Sequence, residues 1–151
     1  MKVSDILALK RKAKITIGPS ENIGQLSLLL RENRVGAAVV SSDGQAIEGV
    51  ISERDIAYGL TTHGADLHTL PVSTLMTKTV ITCRPTDDIA LVASTMLSRN
   101  IRHIPVEAGK QLIGMVSIRD VLNFRLNELQ QQTAQFRTLV GQMGQPPQDR
   151  E

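Results

Sequence analysis

Aromatic rings are nearly missing from this sequence. Of 151 residues only Tyr58, Phe124 and Phe136 carry one, and there is no Trp. Proteins that stack single-stranded bases need several such platforms, so that class of binder is excluded. Cysteine is scarcer still. Cys83 stands alone, which rules out an intrachain disulfide and any zinc site built on several thiolates. No apolar run approaches the roughly 18 residues that a bilayer span requires. No uninterrupted apolar stretch of signal-peptide type precedes the basic residues Lys10, Arg11, Lys12 and Lys14. An excess of one charge is also lacking, because 17 basic side chains face 15 acidic ones for a net charge of +2. A nucleic-acid binder concentrates positive charge on one surface, and the short basic cluster reads instead as a solvated segment. Together these absences predict a soluble cytoplasmic protein with no membrane and no nucleic-acid partner.

What is present is aliphatic. The hydrophobic fraction is 41%, which is globular rather than disordered, and almost all of it is Ile, Leu, Val, Ala and Met. A chain of this length is one ordinary domain and buries roughly two thirds of its unfolded surface without a staple.

An internal repeat organises the chain. Ile15-Thr16-Ile17-Gly18-Pro19 aligns with Ile81-Thr82-Cys83-Arg84-Pro85, and Ile23, Val40 and Ile47 align with Ile89, Val106 and Ile113. After a one-residue slip, Gly49-Val50-Ile51-Ser52-Glu53-Arg54-Asp55 matches Gly114-Met115-Val116-Ser117-Ile118-Arg119-Asp120. The lead-ins agree as well: Val3-Ser4-Asp5-Ile6-Leu7 with Val72-Ser73-Thr74-Leu75-Met76. Each copy reads β-α-β-β-α. A short strand (Ile15 to Ile17; Val80 to Cys83) ends at proline, and Ser20 or Thr86 offers an N-cap. Glu21, or Asp87 and Asp88, then fall in the first turn, where the helix dipole favours acids. The helix carries an apolar stripe, Ile23, Leu26, Leu29 and Leu30 in copy one and Ile89, Val92 and Met96 in copy two. Two strands follow, Ala37–Val40 and Ile47–Ser52, or His103–Val106 and Leu112–Ser117, joined by turns at 42–44 and 108–110. Each copy has about fifty residues, too few to bury much alone, so the two must pack together. The expected organisation is repeat one at 3–62, a linker at 63–71, repeat two at 72–125, a C-terminal helix at 126–144 and a disordered tail at 145–151.

Beyond Asp120, Leu122, Leu126, Leu129, Phe136, Val140 and Met143 fall at alternating spacings of four and three, with Thr133 in the remaining slot. That is a heptad seam over about three heptads. It either pairs with another chain or folds back on its own domain, and its continuation past the end of the repeat favours pairing.

Two patterns carry candidate chemistry. Gly-x-x-Ser-x-Arg-Asp occurs twice where a strand passes into a helix, so free backbone N–H groups and the helix dipole favour an anion there. Its Asp suits vicinal ribose hydroxyls, and its Ser and Arg suit phosphate oxygens. Ser-x-x-Asp is also a capping box, and both roles can hold at once. The second pattern is Arg102-His103-Ile104-Pro105-Val106, which either grips phosphate or contains an ordinary half-buried histidine. Pro105 argues for a strand edge or end. Copy one has Gly36-Ala37-Ala38-Val39-Val40 here, with no basic group, so the two crevices are expected to differ.

The paired motifs resemble the CBS-domain family, named for the regulatory domain of cystathionine β-synthase, over roughly residues 3 to 125. The resemblance implies an α/β (α+β) fold: tandem β-α-β-β-α CBS repeats with pseudo-twofold symmetry, a Bateman module, here with a long C-terminal helix. It further implies binding of an adenosine-containing ligand (AMP, ADP, ATP, NAD(H) or S-adenosylmethionine), a homodimer, and signalling to a separate effector protein. By residue, Asp55 and Asp120 would hold ribose hydroxyls, with Ser52, Ser117, Arg54 and Arg119 near ribose and phosphates. Thr16, Ile17, Ile81, Thr82 and Cys83 would border adenine. Ala38, Val39, Ile104 and Pro105 would wall it, and Arg102 and His103 would grip phosphate. With so few rings, aliphatic walls must hold the base. Copy one lacks the Arg-His-x-Pro grip, which counts against phosphate-rich ligands there.

Enzyme readings are weaker. Cys83 falls at an adenine-wall position. Neither Ser52 nor Ser117 has a nucleophile-elbow motif around it. His63, Asp66 and His68 lie in the linker without a third imidazole or thiolate. The expectation is no catalysis, no metal and no catalytic cofactor. The runner-up is an assembly module whose crevices no longer bind nucleotide.

Overall fold

The computed structural model describes residues 1–10 and 14–144; the tail expected to be disordered lies outside the described residues. The element order is α1 (Val3–Leu9), β1 (Thr16–Ile17), α2 (Ile23–Asn33), β2 (Ala37–Val40), β3 (Gly49–Ser52), α3 (Glu53–His63), a 3-10 turn (Gly64–Thr69), α4 (Val72–Leu75), α5 (Ile89–Arg99), β4 (His103–Ala108), β5 (Gln111–Ser117) and α6 (Ile118–Met143).

The β-α-β-β-α reading holds in copy one. β1 runs parallel to β2, pairing Thr16 with Val39 and Ile17 with Val40, and β2 runs antiparallel to β3. In copy two the strand expected at Val80–Cys83 is reduced to one parallel bridge, Cys83 to Val106. The reason is a single residue. Val39 donates its N–H to the Ile15 carbonyl at 3.0 Å, and Ser41 donates to Ile17 at 2.9 Å. Position 105 is proline and has no N–H to give to Ile81, so half of the ladder cannot form. The remaining rungs persist: Cys83 donates to Pro105 O at 3.0 Å, and Glu107 donates to Cys83 O at 2.9 Å.

The helix caps also shift. Ser20 and Thr86 are followed three residues on by Ile23 and Ile89, which cannot reciprocate a cap. Asn22 caps α2 instead, in a box with Gln25 whose two bonds are each 2.8 Å, and Asp88 caps α5 by accepting from Ala90 N–H at 3.0 Å. Glu21 and Asp87 close the preceding turns, accepting from Gly18 N–H at 2.6 Å and Arg84 N–H at 2.8 Å. Both helices end on left-handed residues, Arg34 (φ 53°) and Asn100 (φ 52°).

β3 begins at Gly49 rather than Ile47, because Asp43 and Ser41 organise the preceding residues as a loop. Asp43 Oδ1 accepts from Gln45 and Ala46 N–H at 2.8 and 2.9 Å. The β4–β5 hairpin turns tightly on Gly109 (φ 57°) and Lys110 (φ 63°), the left-handed pair that suits a two-residue turn.

Each copy has its own core, but the lead-in helices are exchanged. Val3 and Ile6 of α1 are buried with Cys83, Ile89, Val92, Met96, Ile104, Val106, Val116 and Val121 of copy two. Val72 of α4, with Leu67 of the 3-10 turn, is buried with Ile17, Ile23, Leu26, Leu30, Ala38, Val40 and Ile51 of copy one. A third cluster, Ala37 and Val39 against Leu112 and Met115, forms the seam between the two sheets. Neither half can therefore close its core without a helix from the other.

α6 starts inside copy two, where Val121 is buried, and then leaves the domain. Leu126, Leu129, Phe136, Val140 and Met143 are each more than half exposed. The fold-back alternative is overturned, since the helix does not return to its own core.

Candidate functional site

The strand-to-helix junctions build two crevices, and each crosses between the copies. Glu53 N–H donates to Gly36 O at 2.9 Å, and Ile118 N–H donates to Arg102 O at 2.8 Å. These equivalent bonds place the start of α3 beside β2 and the start of α6 beside β4.

The first crevice holds about 190 Å³. Copy one supplies Val50 and Ser52 through Asp55; copy two supplies Thr77, Thr79, Val80, Ile81, Asn100 through His103, and Pro105. Val50, Val80, Ile81, Ile101 and Pro105 give it an aliphatic side. Asp55 Oδ2 accepts from Ser52 N–H at 2.8 Å and Ser52 Oγ–H at 3.1 Å. Arg54 Nη1 donates to the Asn100 carbonyl at 3.0 Å.

A larger crevice of about 790 Å³ holds Asp120. Ser117, Ile118, Arg119 and Met115 come from copy two, and Lys10, Ile15, Arg31, Arg34, Val35, Gly36 and Ala37 come from copy one. Asp120 Oδ2 accepts from Ser117 N–H at 2.8 Å, and Ser117 Oγ accepts from Asp120 N–H at 3.1 Å. Lys10 Nζ adds a second bond to the same Oδ2 at 2.8 Å and also donates to Met115 O at 2.7 Å. In both crevices the capping box engages Oδ2, and Oδ1 has no protein partner among the described residues.

Lys10, Arg31, Arg34, Arg102 and Arg119 bring five cationic side chains to the larger crevice, against the carboxylates of Glu53 and Asp120. The strand Gly36–Val40 brings no basic group of its own, but the crevice it borders is charged all the same. Arg31 and Arg34 of copy one and Lys10 of the lead-in supply the charge. Arg102 and His103 line both cavities from the wall between them.

Glycine at position 36 leaves room for its neighbours. A Cβ there would lie 3.1 Å from Glu53 Oε1 and 3.3 Å from the His103 ring, so its absence lets that ring enter the wall. Burial pushes the His103 pKa below its ordinary value and Lys10 adds to this, while Glu53 and Asp120 pull the other way. The balance favours the neutral ring.

Among the residues singled out from sequence, Ser52, Arg54, Asp55, Ile81, Arg102, His103 and Pro105 meet in the smaller crevice, and Ser117, Arg119 and Asp120 meet in the larger. Thr16, Ile17, Ala38, Val39, Thr82, Cys83 and Ile104 line neither. Ile17 and Ala38 belong to the core of copy one, Cys83 and Ile104 to that of copy two, and Val39 to the seam. Thr16 pairs with Val39, and Thr82 Oγ1 donates to Glu107 at 2.8 Å. The Cys83 thiol is pushed up to about 12, first by burial, so it carries no thiolate at neutral pH. Lys10, Thr79, Glu53, Arg31 and Arg34 were missed. The signal for Lys10 lay in the lead-in alignment, which sets it opposite Thr79. Among the described residues, no three His, Cys, Asp or Glu side chains are grouped to hold a metal, and no helix is long and apolar enough to cross a membrane.

The CBS-domain family model matches residues 3–61 and 72–127. The chain belongs to the CBS-domain family. It is 29% identical over 106 residues to the CBS domain-containing protein YhcV of Bacillus subtilis, covering 70% of this chain and 74% of that one. Across three curated relatives the chain spans 74%, 50% and 58% of their lengths. Among solved structures, the CBS-domain containing protein ATU1752 of Agrobacterium tumefaciens superposes with a TM-score of 0.79 at 32% identity, covering 83% and 99% of the two chains. The CBS domain protein PAE2072 of Pyrobaculum aerophilum, complexed with AMP, superposes with a TM-score of 0.70 at 31% identity, covering 80% and 89%. The fold is thus a CBS pair, extended here by α6.

Proposed function

We propose that this CBS pair is a regulatory module that binds adenosine-containing ligands (AMP, ADP, ATP or NAD(H)) in its two crevices and passes their occupancy to a separate protein. The observation that carries the reading is the pair of carboxylates, Asp55 and Asp120. Each is held rigid by a capping box through one oxygen, with the other left for ribose hydroxyls. The AMP complex of the Pyrobaculum relative supports the ligand class.

The crevices divide the ligands between them. The Asp55 crevice is small and walled by Val50, Val80, Ile81, Ile101 and Pro105, which suits an aliphatic sandwich around a base. The Ile81 carbonyl, denied a donor by Pro105, suits an exocyclic amino group. The Asp120 crevice is larger and cationic, which suits the polyphosphate of ATP or the pyrophosphate of NAD(H).

Transmission rests on α6. Its N-terminal cap is part of the Asp120 site, and its 26 residues project roughly 39 Å from it. Ligand shifts the population of helix orientations only as far as it binds one better than another. The exposed heptad seam suits a coiled coil with a second copy of this chain. Thermal shift with AMP, ADP, ATP, NAD, NADH and S-adenosylmethionine tests the reading. A site at one hundred times its Kd adds about 2.7 kcal/mol. Stabilisation by at least one compound is expected, and none by any compound overturns the proposal. Truncation after Asn123 is expected to lower the mass in solution, and an unchanged mass overturns the helix-mediated dimer.

A further inference from the structure

Lys10 is the one cation already paired inside either crevice. Among the described residues the only ion pairs are Lys10–Asp120, at 2.8 Å, and Arg125–Glu128. Lys10 is about a quarter exposed, as is Asp120. It follows the last residue of α1, whose Val3 and Ile6 are fixed in the core of copy two. The ammonium group is therefore delivered to the crevice by a packed helix and anchored by the Met115 carbonyl at 2.7 Å. Its counterpart in the lead-in of copy two, Thr79, lines the Asp55 crevice without a charge.

We propose that Lys10 is a specificity-determining residue of the Asp120 crevice, which makes it accept phosphate-bearing nucleotides and reject uncharged nucleosides. The inference rests on the nucleotide reading above. A ribose alone offers Lys10 nothing stronger than the carboxylate it already holds. The ammonium group stays on Asp120 Oδ2 and occupies part of the space and hydrogen-bonding capacity that a nucleoside needs. A phosphate gives the same group a second anion within reach of one flexible side chain. Lys10 then bridges the phosphate and the Met115 carbonyl or Asp120, and Arg31, Arg34 and Arg119 complete the cationic wall. Arg residues alone give the crevice affinity for anions. The lysine on Asp120 couples that affinity to the ribose subsite.

Isothermal titration of adenosine and ATP into the full chain, the Lys10→Met variant and the Thr79→Lys variant tests this, with Asp120→Asn reporting which binding event belongs to this crevice. In Lys10→Met the ratio of ATP to adenosine affinity at the Asp120 crevice is expected to fall at least tenfold, through weaker ATP and stronger adenosine binding. Thr79→Lys is expected to weaken adenosine at the Asp55 crevice while leaving the Asp120 crevice unchanged. Binding with an unaltered ratio in Lys10→Met overturns the role of Lys10 and leaves the nucleotide reading intact. Binding of neither compound to wild type or Lys10→Met overturns both.

Discussion

The two halves of this molecule share one blueprint and differ at a few positions that matter. In the Asp55 crevice, the helix that faces Arg54 ends on Asn100, and Arg54 donates to its carbonyl. At the equivalent helix end the other crevice has Arg34, which lines the cavity together with Arg119. The Asp55 crevice engages Arg54 with a backbone carbonyl, and the other gathers guanidinium groups that have no ion-pair partner among the described residues beside a lysine. In the same way β1 forms because Val39 has an N–H, and its counterpart dissolves because Pro105 has none. Duplication fixes the frame, and single substitutions decide which half carries charge and which half exposes backbone.

The largest effect concerns the exchanged helices. Ile6→Ala removes a buried side chain of α1 and is expected to cost about 2–5 kcal/mol in urea unfolding. Hydrogen exchange in that variant is expected to accelerate in α5 and β4 of copy two before α2 and β2 of copy one. Earlier loss in copy one contradicts the exchange.

A smaller effect probes the strand difference. Val39→Pro deletes the N–H that satisfies Ile15 O and is expected to cost about 1–3 kcal/mol. The reverse change, Pro105→Val, is expected to slow amide exchange across Val80–Cys83 as the missing rungs form. Unchanged exchange there means that something other than Pro105 prevents the strand.

The smallest effect is in pH dependence. The folded His103 pKa lies below its ordinary value of about 6.5, so the unfolded chain takes up a proton first as pH falls. The contribution of His103 to stability is therefore complete above about pH 6.5 and declines below it, until the folded ring also protonates. His103→Asn is expected to flatten this part of the stability–pH curve. An identical slope in the variant contradicts the assignment to His103.

Much of this architecture was legible from the amino-acid sequence, for a physical reason. The register of a repeat survives because strand pairing and core packing both depend on it. The offset of 66 that aligns Ile17 with Cys83 and Val40 with Val106 reappears as the two equivalent strand pairings. The Ser-x-x-Asp boxes formed as read, because a cap is a local interaction between neighbours three residues apart. What escaped were the interactions between distant segments. Lys10 reaches Asp120 across 110 positions, a pairing that no local pattern encodes. Arg31 and Arg34, at the C-terminal end of α2, line a crevice that both copies build, which their own neighbourhood in the sequence does not announce. The aliphatic positions Ala38, Val39 and Ile104 read equally well as ligand wall or core, and burial assigns them to the core and the seam.

The central claim is that the two crevices are separate sites with different charge, each centred on its own aspartate. Calorimetric titration of ATP into wild type, Asp55→Ala and Asp120→Ala tests it most directly. The account predicts that Asp120→Ala loses most of the ATP affinity while Asp55→Ala retains it. Equal binding by both variants and wild type would contradict it.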